Sequence, residues 1–202
     1  MQVWQVIFSG VAQGCIYGLI ALGFVLIYKA TETVTFAQGE LMMLGAFAGL
    51  ACVSYLGWPF ALAVVVSMGV MACMGWLIER VVINPVLGEP AFAIVMLTIG
   101  VGYVARGLVT MIPDIGTETH ALPVPYADIH FDLGGLVLGA TQLVVMASTA
   151  VLCGLLYALF RFTRVGIAMQ ATSQNQLAAY YMGIPVKRLN GLVWALAAAV
   201  AK

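Results

Sequence analysis

Residues 3–28 read VWQVIFSGVAQGCIYGLIALGFVLIY and contain no charged side chain. A helix needs about 20 consecutive apolar residues to cross the hydrocarbon core of a bilayer, and this stretch is longer than that. No positively charged segment precedes it, and its apolar length exceeds that of a cleavable signal peptide. The stretch therefore predicts a membrane-spanning helix that remains in the mature protein.

The remainder of the chain is also strongly apolar. Of its 202 residues, 63% are hydrophobic and 8% are charged, whereas a typical soluble domain has roughly 25% charged residues. A water-soluble globule of this length could not bury so much apolar surface. We therefore predict an all-α fold, a polytopic transmembrane helical bundle that forms one membrane domain over residues 1–202. Together with 3–28 the predicted spans number about six, the others being 41–56, 60–78, 91–112, 134–160 and, cut short, 189–202. The span 41–56 is short and is expected to lengthen into its flanks.

The charges of two connecting segments orient these spans. Residues 113–133 contain four acidic and no basic side chains, whereas 161–188 contain Arg161, Arg164, Lys187 and Arg188 and no acidic ones. Because Lys and Arg concentrate on the cytoplasmic side, we expect 161–188 to be cytoplasmic and 113–133 to be external. Counting the spans backwards places 29–40 and 79–90 on the cytoplasmic side as well. The net charge of zero gives no reason to expect a nucleic-acid partner.

The sequence predicts neither a metal site nor a catalytic site. Cys15, Cys52, Cys73 and Cys153 all lie within apolar runs without paired spacing, which is typical of small packing residues. The two histidines, His120 and His130, lie in the acidic segment at a spacing that fits no common metal-ligand pattern. No intramembrane Ser/His pair, paired Asp or phosphate-binding loop is present. We therefore expect a protein that is not an enzyme and has no cofactor.

Residues 31–40, TETVTFAQGE, interrupt the apolar pattern. The stretch is polar, rich in β-branched residues and broken by Gly39, so a continuous helix is not expected there. Broken helices of this kind form the binding sites of many transporters, because their free N–H and C=O groups can hold a polar solute. We predict a broken or re-entrant segment; an ordinary cytoplasmic turn is the alternative.

Three stretches resemble a known transporter family. GLIALGFVLIY at 18–28, FAQGE at 36–40 and GAF at 45–47 are similar to the start of the branched-chain amino acid ABC transporter permeases, the LivH-like inner-membrane translocators. Thr35 stands where that family usually has Asn. The resemblance implies a multi-pass inner-membrane permease for branched-chain or related small amino acids, with Phe36, Gln38, Gly39 and Glu40 along the translocation pathway.

The resemblance also implies partners. These would be ABC ATPase subunits, a second permease subunit, a periplasmic solute-binding protein, a small amino-acid substrate and the lipid bilayer. Permeases of the same family for urea or amides, and an ion-coupled secondary transporter, remain alternative functions. Members of the family continue through further helices, so we expect the chain to be truncated at its C-terminus.

The basic segment 161–188 resembles the coupling loop of ABC importer permeases, which rests on the ATPase subunit. Its alanines predict a short helix over 168–182, which Gly183 and Pro185 would end. Leu177, Gln170 and Gln176 replace charged residues of the loop consensus. The residues that the resemblance assigns to coupling are Gly166, Ala171, Ala178, Ala179, Gly183 and Ile184.

Other groups within the spans have two interpretations each. Arg106 lies in the 91–112 run, where it could extend its side chain to the membrane surface or attract a substrate carboxylate. Glu79 and Arg80 at the end of a span are interpreted as a solvated or self-paired couple. Gly10, Gly14 and Gly18, spaced every four residues, predict close helix packing or a subunit interface.

Overall fold

The computed structural model describes residues 2–31, 34–112, 122, 124–126, 130–132 and 137–201. Within these residues the chain forms eight α-helices and one short antiparallel strand pair. The helices are α1 (Gln2–Thr31), α2 (Gln38–Leu50), α3 (Phe60–Ile78), α4 (Ala91–Thr110), α5 (Ala140–Phe162), α6 (Arg164–Gln174), α7 (Gln176–Tyr181) and α8 (Val186–Val200). The strands are β1 (His130–Asp132) and β2 (Val137–Gly139), with His130 opposite Gly139. The predicted helical membrane bundle is confirmed.

Two helices continue into wider, π-helical turns. Residues Ala51–Tyr55 extend α2, and Glu79–Ile83 extend α3 before a short 3-10 turn at Asn84–Val86. The extensions are continuous with their helices, since the backbone at each junction keeps α-helical dihedral angles.

Four helices in the described part of the chain are long and apolar enough to cross a membrane: Val3–Lys29, Phe60–Val86, Phe92–Thr110 and Ala140–Phe162. They correspond to four of the six predicted spans. Of the other two, 41–56 contains most of α2 and its extension to Tyr55, and 189–202 contains most of α8, which begins at Val186.

The core of the bundle is built around α8. Val193, Trp194 and Ala197 are buried among residues of α1 and α3 such as Ile27 and Met71. Gly75 on α3 lies against the α8 backbone, since a Cβ atom there would be 2.5 Å from the Trp194 carbonyl oxygen. Small residues allow helix backbones to approach this closely, so α8 packs directly on α3.

One end of the bundle collects the basic groups, and we call it the basic end. A cavity of about 380 Å³ there is lined by Lys29 of α1, Phe160 of α5, Met169 of α6 and Asn190 of α8, together with neighbouring side chains. The end of α1, the end of α5, the start of α6 and the start of α8 therefore meet. This grouping agrees with the predicted order of the spans; which side of the membrane the basic end faces stays a prediction.

At the opposite end the acidic segment touches the bundle. The ring of Tyr126 packs edge-on against Phe60, with 5.6 Å between ring centroids. Burial raises the pKa of the Tyr126 phenol, so this side chain remains neutral at physiological pH. Asp114, Glu118, Asp128 and His120 lie outside the described residues.

The glycine stripe of α1 is not used within the described part of the chain. Gly10, Gly14 and Gly18 are exposed, and a Cβ atom at each would find nothing within 4 Å. Packing among the described residues therefore does not account for the stripe, whereas Gly45 and Gly49 of α2 are buried.

Candidate functional site

The break between α1 and α2 lies beside the middle of α4. Phe36 N–H donates a hydrogen bond to Thr98 Oγ1 at 3.2 Å, and Thr98 is the eighth residue of a helix that begins at Ala91. After the end of α1 the chain returns along the bundle, since Gln38 lies against Gly23 of α1. This geometry agrees with the predicted broken or re-entrant segment, and the side from which it enters the membrane stays a prediction.

Thr35 shapes the turn that leads into α2. Its side chain is buried, and its hydroxyl oxygen accepts a hydrogen bond from Ala37 N–H at 3.3 Å. An Asn side chain makes the same kind of bond to the backbone two residues further on. The replacement of the usual Asn by Thr therefore preserves the local turn chemistry.

Gln38 connects the start of α2 to two other helices. Its side chain is buried, and Nε2 donates to the carbonyl oxygen of Ala197 on α8 at 3.5 Å. Gly23 of α1 lies against the same amide, and a Cβ atom at Gly23 would overlap it. The Oε1 atom of Gln38 has no hydrogen-bond partner among the described residues.

Glu40 and Arg106 form an ion pair between α2 and α4. Arg106 Nη2 lies 2.6 Å from Glu40 Oε1, with 61% of the Arg106 side chain and 18% of the Glu40 side chain exposed. Gly102 leaves room for the carboxylate, because a Cβ atom there would be 3.0 Å from Glu40 Cγ. Arg106 therefore meets a carboxylate of its own chain, which neither interpretation of the sequence anticipated.

Thr98, Gly102 and Arg106 share one face of α4, since residues four apart lie above one another on a helix. This face contacts Phe36 and Glu40. The sequence analysis selected Arg106 but missed Thr98 and Gly102. A polar or small residue at every fourth position of an otherwise apolar helix was the pattern that would have found them.

Within the basic segment the structure has two helices rather than the single helix predicted over 168–182. Asn175 separates α6 from α7 with extended dihedral angles, and its Oδ1 accepts a hydrogen bond from Ala178 N–H at 2.9 Å. Asn is among the best residues for capping the start of a helix and a poor one for its interior. The alanines favoured one helix, and the cap of Asn175 outweighed them.

Gly183 ends α7, as the sequence predicted. Its φ of +82° is in the left-handed region, which glycine adopts without steric cost. Gly183 N–H donates to Tyr180 C=O, and Ile184 N–H donates to Ala179 C=O, each at 3.0 Å. These two bonds form a Schellman motif, so Gly183 and Ile184 fix the direction in which the chain enters α8.

The small residues assigned to coupling differ in their surroundings. A Cβ atom at Gly166 would overlap the carbonyl of Leu159, so Gly166 lets α6 start directly against the end of α5. Ala179 is buried, whereas Ala171 and Ala178 are exposed. Their role in coupling stays a prediction.

The basic segment also presents large apolar side chains that the sequence analysis did not select. Leu177, Tyr180, Tyr181 and Met182 are between 67% and 83% exposed. We call these four residues the α7 apolar surface. It covers the helix that Asn175 starts and Gly183 ends, and a cluster of exposed aromatic and aliphatic groups is characteristic of a contact with another protein or with the membrane.

Of the two interpretations of the Glu79–Arg80 couple, the solvated one is wrong for Glu79, and pairing of the two residues stays a prediction. Glu79 is 2% exposed and lies against Gly191 at the α3–α8 contact. Arg80 stacks over the Trp76 ring, 5.0 Å from the ring centroid. Glu79 Oε1, Asn190 Oδ1 and Trp194 Nε1 are buried without hydrogen-bond partners among the described residues.

Metal and thiol chemistry find no support in the described residues. No group of three or more potential metal ligands occurs among them, and their four cysteines are free.

Comparison with known proteins adds to this geometry. A family model described as the branched-chain amino acid transport system permease component matches residues 6–202. The high-affinity branched-chain amino acid transport system permease protein LivH of Escherichia coli is 27% identical over 209 residues, covering 98% of this chain and 67% of the relative. The corresponding protein BraD of Pseudomonas aeruginosa is 24% identical over 208 residues with the same coverage.

A more distant organism has a similar protein. The probable branched-chain amino acid transport permease protein LivH of Methanocaldococcus jannaschii is 29% identical over 191 residues, covering 91% of this chain and 59% of the relative. No solved structure matches the chain.

The family match includes both the break before α2 and the basic segment. With four membrane-capable helices, it confirms the localisation predicted from the sequence, a multi-pass protein of the inner membrane. The chain belongs to the family of branched-chain amino acid transport permeases.

Proposed function

We propose that this chain is the permease subunit of an ABC importer that carries branched-chain or related small amino acids across the inner membrane. The relatives are named as permeases of such systems. ATP would be hydrolysed by separate ATPase subunits, and a second permease subunit and a periplasmic solute-binding protein would complete the transporter. The observation that carries the proposal is α7, an exposed helix of the basic segment that begins at the Asn175 cap and is ended by Gly183.

The α7 apolar surface is suited to an ATPase subunit. Its four side chains project from a helix whose two ends are fixed by Asn175 and Gly183. A fixed apolar helix can insert into a groove of a partner at little entropic cost. The charged residues that Leu177, Gln170 and Gln176 replace are not needed if apolar burial provides the contact.

The break at Phe36–Glu40 is the proposed point on the translocation pathway. It lies alongside the middle of α4, and it brings backbone and side-chain polar groups to membrane depth. Movement of α7 would pass through Gly183 and Ile184 into α8. Because α8 contacts α1, α2 and α3, it would shift the helices that enclose the break.

Two alternatives make different predictions. An ion-coupled transporter would lose uptake when proton and sodium ionophores are added, whereas an ATP-driven importer would lose uptake when ATP is depleted. A permease for urea or amides would carry those neutral solutes instead of leucine, isoleucine or valine. Uptake of labelled solutes by cells that express the complete transporter separates all three.

Replacement of Gly183 by Arg tests the proposed coupling role. A side chain at a φ of +82° costs about 1–2 kcal/mol and would disturb the Schellman motif. We expect Gly183→Arg to abolish uptake while the protein still accumulates in the membrane. Uptake is measured with radiolabelled leucine, and membrane levels by immunoblot.

Gly57 provides the matched control. It also has a positive φ, of +64°, with open space around its Cβ position, but it lies in the turn before α3. Gly57→Arg should carry comparable strain and retain uptake. Normal uptake by Gly183→Arg would show that α7 does not couple the permease to its ATPase.

A further inference from the structure

We propose that the Glu40–Arg106 pair selects zwitterions: the substrate's ammonium group binds Glu40 while its carboxylate binds Arg106. This inference rests on the proposed transport function and assigns its specificity to two residues. Glu40 and Arg106 are 66 positions apart in sequence, and Glu40 is the last residue of the Phe36–Glu40 break.

Each partner of the pair retains unused bonding capacity. Glu40 Oε2 is buried and has no hydrogen-bond partner in the described part of the chain. An unpartnered carboxylate oxygen in such surroundings is unfavourable. An ammonium group, which has three N–H donors, would satisfy it.

Arg106 is open on its other side. The pair engages one terminal nitrogen, Nη2, while a guanidinium group carries five N–H donors in a planar fork. The side chain is 61% exposed, so the remaining donors are accessible. A carboxylate is the group that matches this fork in a bidentate manner.

The charges of the site balance those of the substrate. A zwitterion brings one positive and one negative group, and at membrane depth each needs an opposite charge nearby. Glu40 and Arg106 would separate slightly and accept the substrate between them, so two ion pairs replace one with no net charge at any stage. Urea or a neutral amide has no charged group that could replace the partner of Glu40 or of Arg106. The two side chains would therefore remain paired with each other.

A purely structural role is a weaker explanation for the pair. The Phe36–Thr98 bond already attaches the break to α4, and the Gln38–Ala197 bond attaches it to α8. The ion pair compensates the charges of Glu40 and Arg106 at membrane depth. Charge compensation alone does not use Glu40 Oε2 or the remaining donors of Arg106.

Competition binding tests the inference on the unaltered protein. The complete transporter, without its solute-binding protein, is incubated with radiolabelled leucine and three competitors. Isoamylamine lacks the carboxylate, 4-methylpentanoate lacks the ammonium group, and unlabelled leucine has both. We expect each singly charged analogue to compete about tenfold or more weakly than leucine, because each loses a charge-assisted hydrogen bond.

Single variants should separate the two recognition elements. Glu40→Gln should reduce the preference for leucine over 4-methylpentanoate, and Arg106→Gln should reduce the preference for leucine over isoamylamine. Ser148→Ala removes a hydroxyl group on α5 that donates within its own helix and changes no charge, so it should retain both preferences. A structural role of the pair would change both preferences together or neither.

A charge exchange adds a second criterion. Glu40→Arg combined with Arg106→Glu restores an ion pair with the charges interchanged, and it should recover membrane levels without recovering leucine uptake. Parental uptake by this double variant, or equal competition by the three ligands in the parent, would overturn the inference and leave the transport function intact. A parent that carries urea and no amino acid would overturn both.

Discussion

Gly75 sets the distance between α3 and α8. A Cβ atom there would lie 2.5 Å from the Trp194 carbonyl oxygen and 2.6 Å from Ala198 Cβ. Backbone cannot move aside as the end of a flexible side chain can, so the two helices would have to separate. The buried face of α8, including Trp194 and Ala197, depends on this contact.

We therefore expect Gly75→Ala to destabilise the protein by about 1–3 kcal/mol, the usual cost of overpacking. Gly69 lies on the same helix with open space at its Cβ position. Gly69→Ala should leave stability unchanged or raise it by up to about 1 kcal/mol, because Ala favours helix. Thermal unfolding in detergent, followed by size-exclusion chromatography, compares the two variants. Equal melting temperatures would show that the helices adjust without cost.

At the same scale, sequence patterns identified charged residues but not their partners. Arg106 was selected because an ion within an apolar helix is costly, and Glu40 because the stretch that contains it resembles the permease family. Their contact depends on where α2 begins relative to α4, which no local pattern contains. The solvated interpretation of Glu79 was wrong for a related reason: Glu79 occupies the end of a predicted span, but α8 packs over that end and buries it.

Among the elements, α6 and α7 show how one side chain divides a helix. Thr163 and Asn175 each accept a hydrogen bond from the backbone N–H three residues ahead. The alanines of 168–182 predicted one continuous helix. Apart from Asn175, the helix propensities of these residues agree with that prediction. The cap decides, because it satisfies an N–H group that a helix start would otherwise leave unbonded.

Asn175→Ala removes that cap and should cost about 1 kcal/mol. We expect faster amide hydrogen exchange across 176–182, or a merged helix that redirects the α7 apolar surface, and in both cases weaker coupling of ATP hydrolysis to transport. Asn175→Asp keeps a capping oxygen and serves as the control. Unchanged exchange in Asn175→Ala would mean that tertiary contacts alone define α7.

Most of the molecule follows from its hydropathy. The four long spans were all predicted, because the requirement for about 20 apolar residues is a property of the bilayer. The spans 3–28 and 91–112 agree with the observed ends to within two residues, whereas 60–78 ends eight residues early and 134–160 begins six residues early. The predicted span 41–56 corresponds to α2 and its π-helical extension, which begin three residues earlier, at Gln38, beside the middle of α4. The predicted span 189–202 corresponds to α8, which contacts α1, α2 and α3.

Site-directed labelling tests the orientation of the whole bundle. In a chain whose four cysteines are replaced by alanine, Gln174→Cys lies in the basic segment and Leu56→Cys lies in the turn at the other end of the bundle. Both positions are exposed. A membrane-impermeant maleimide should label Leu56→Cys in intact cells and Gln174→Cys only after permeabilisation. The reverse pattern would invert the predicted topology.

The wide turns at Ala51–Tyr55 and Glu79–Ile83 have a consequence for chain length. In each, an N–H group bonds five residues back, as Leu56 does to Ala51 and Asn84 to Glu79, so the turn holds one residue more than an α-helical path requires. Deletion of one residue from either turn would let the chain continue as a regular α-helix. The helix faces before and after the turn would keep their directions. The same deletion inside α3 would rotate everything beyond it by about 100° and turn Gly75 away from α8.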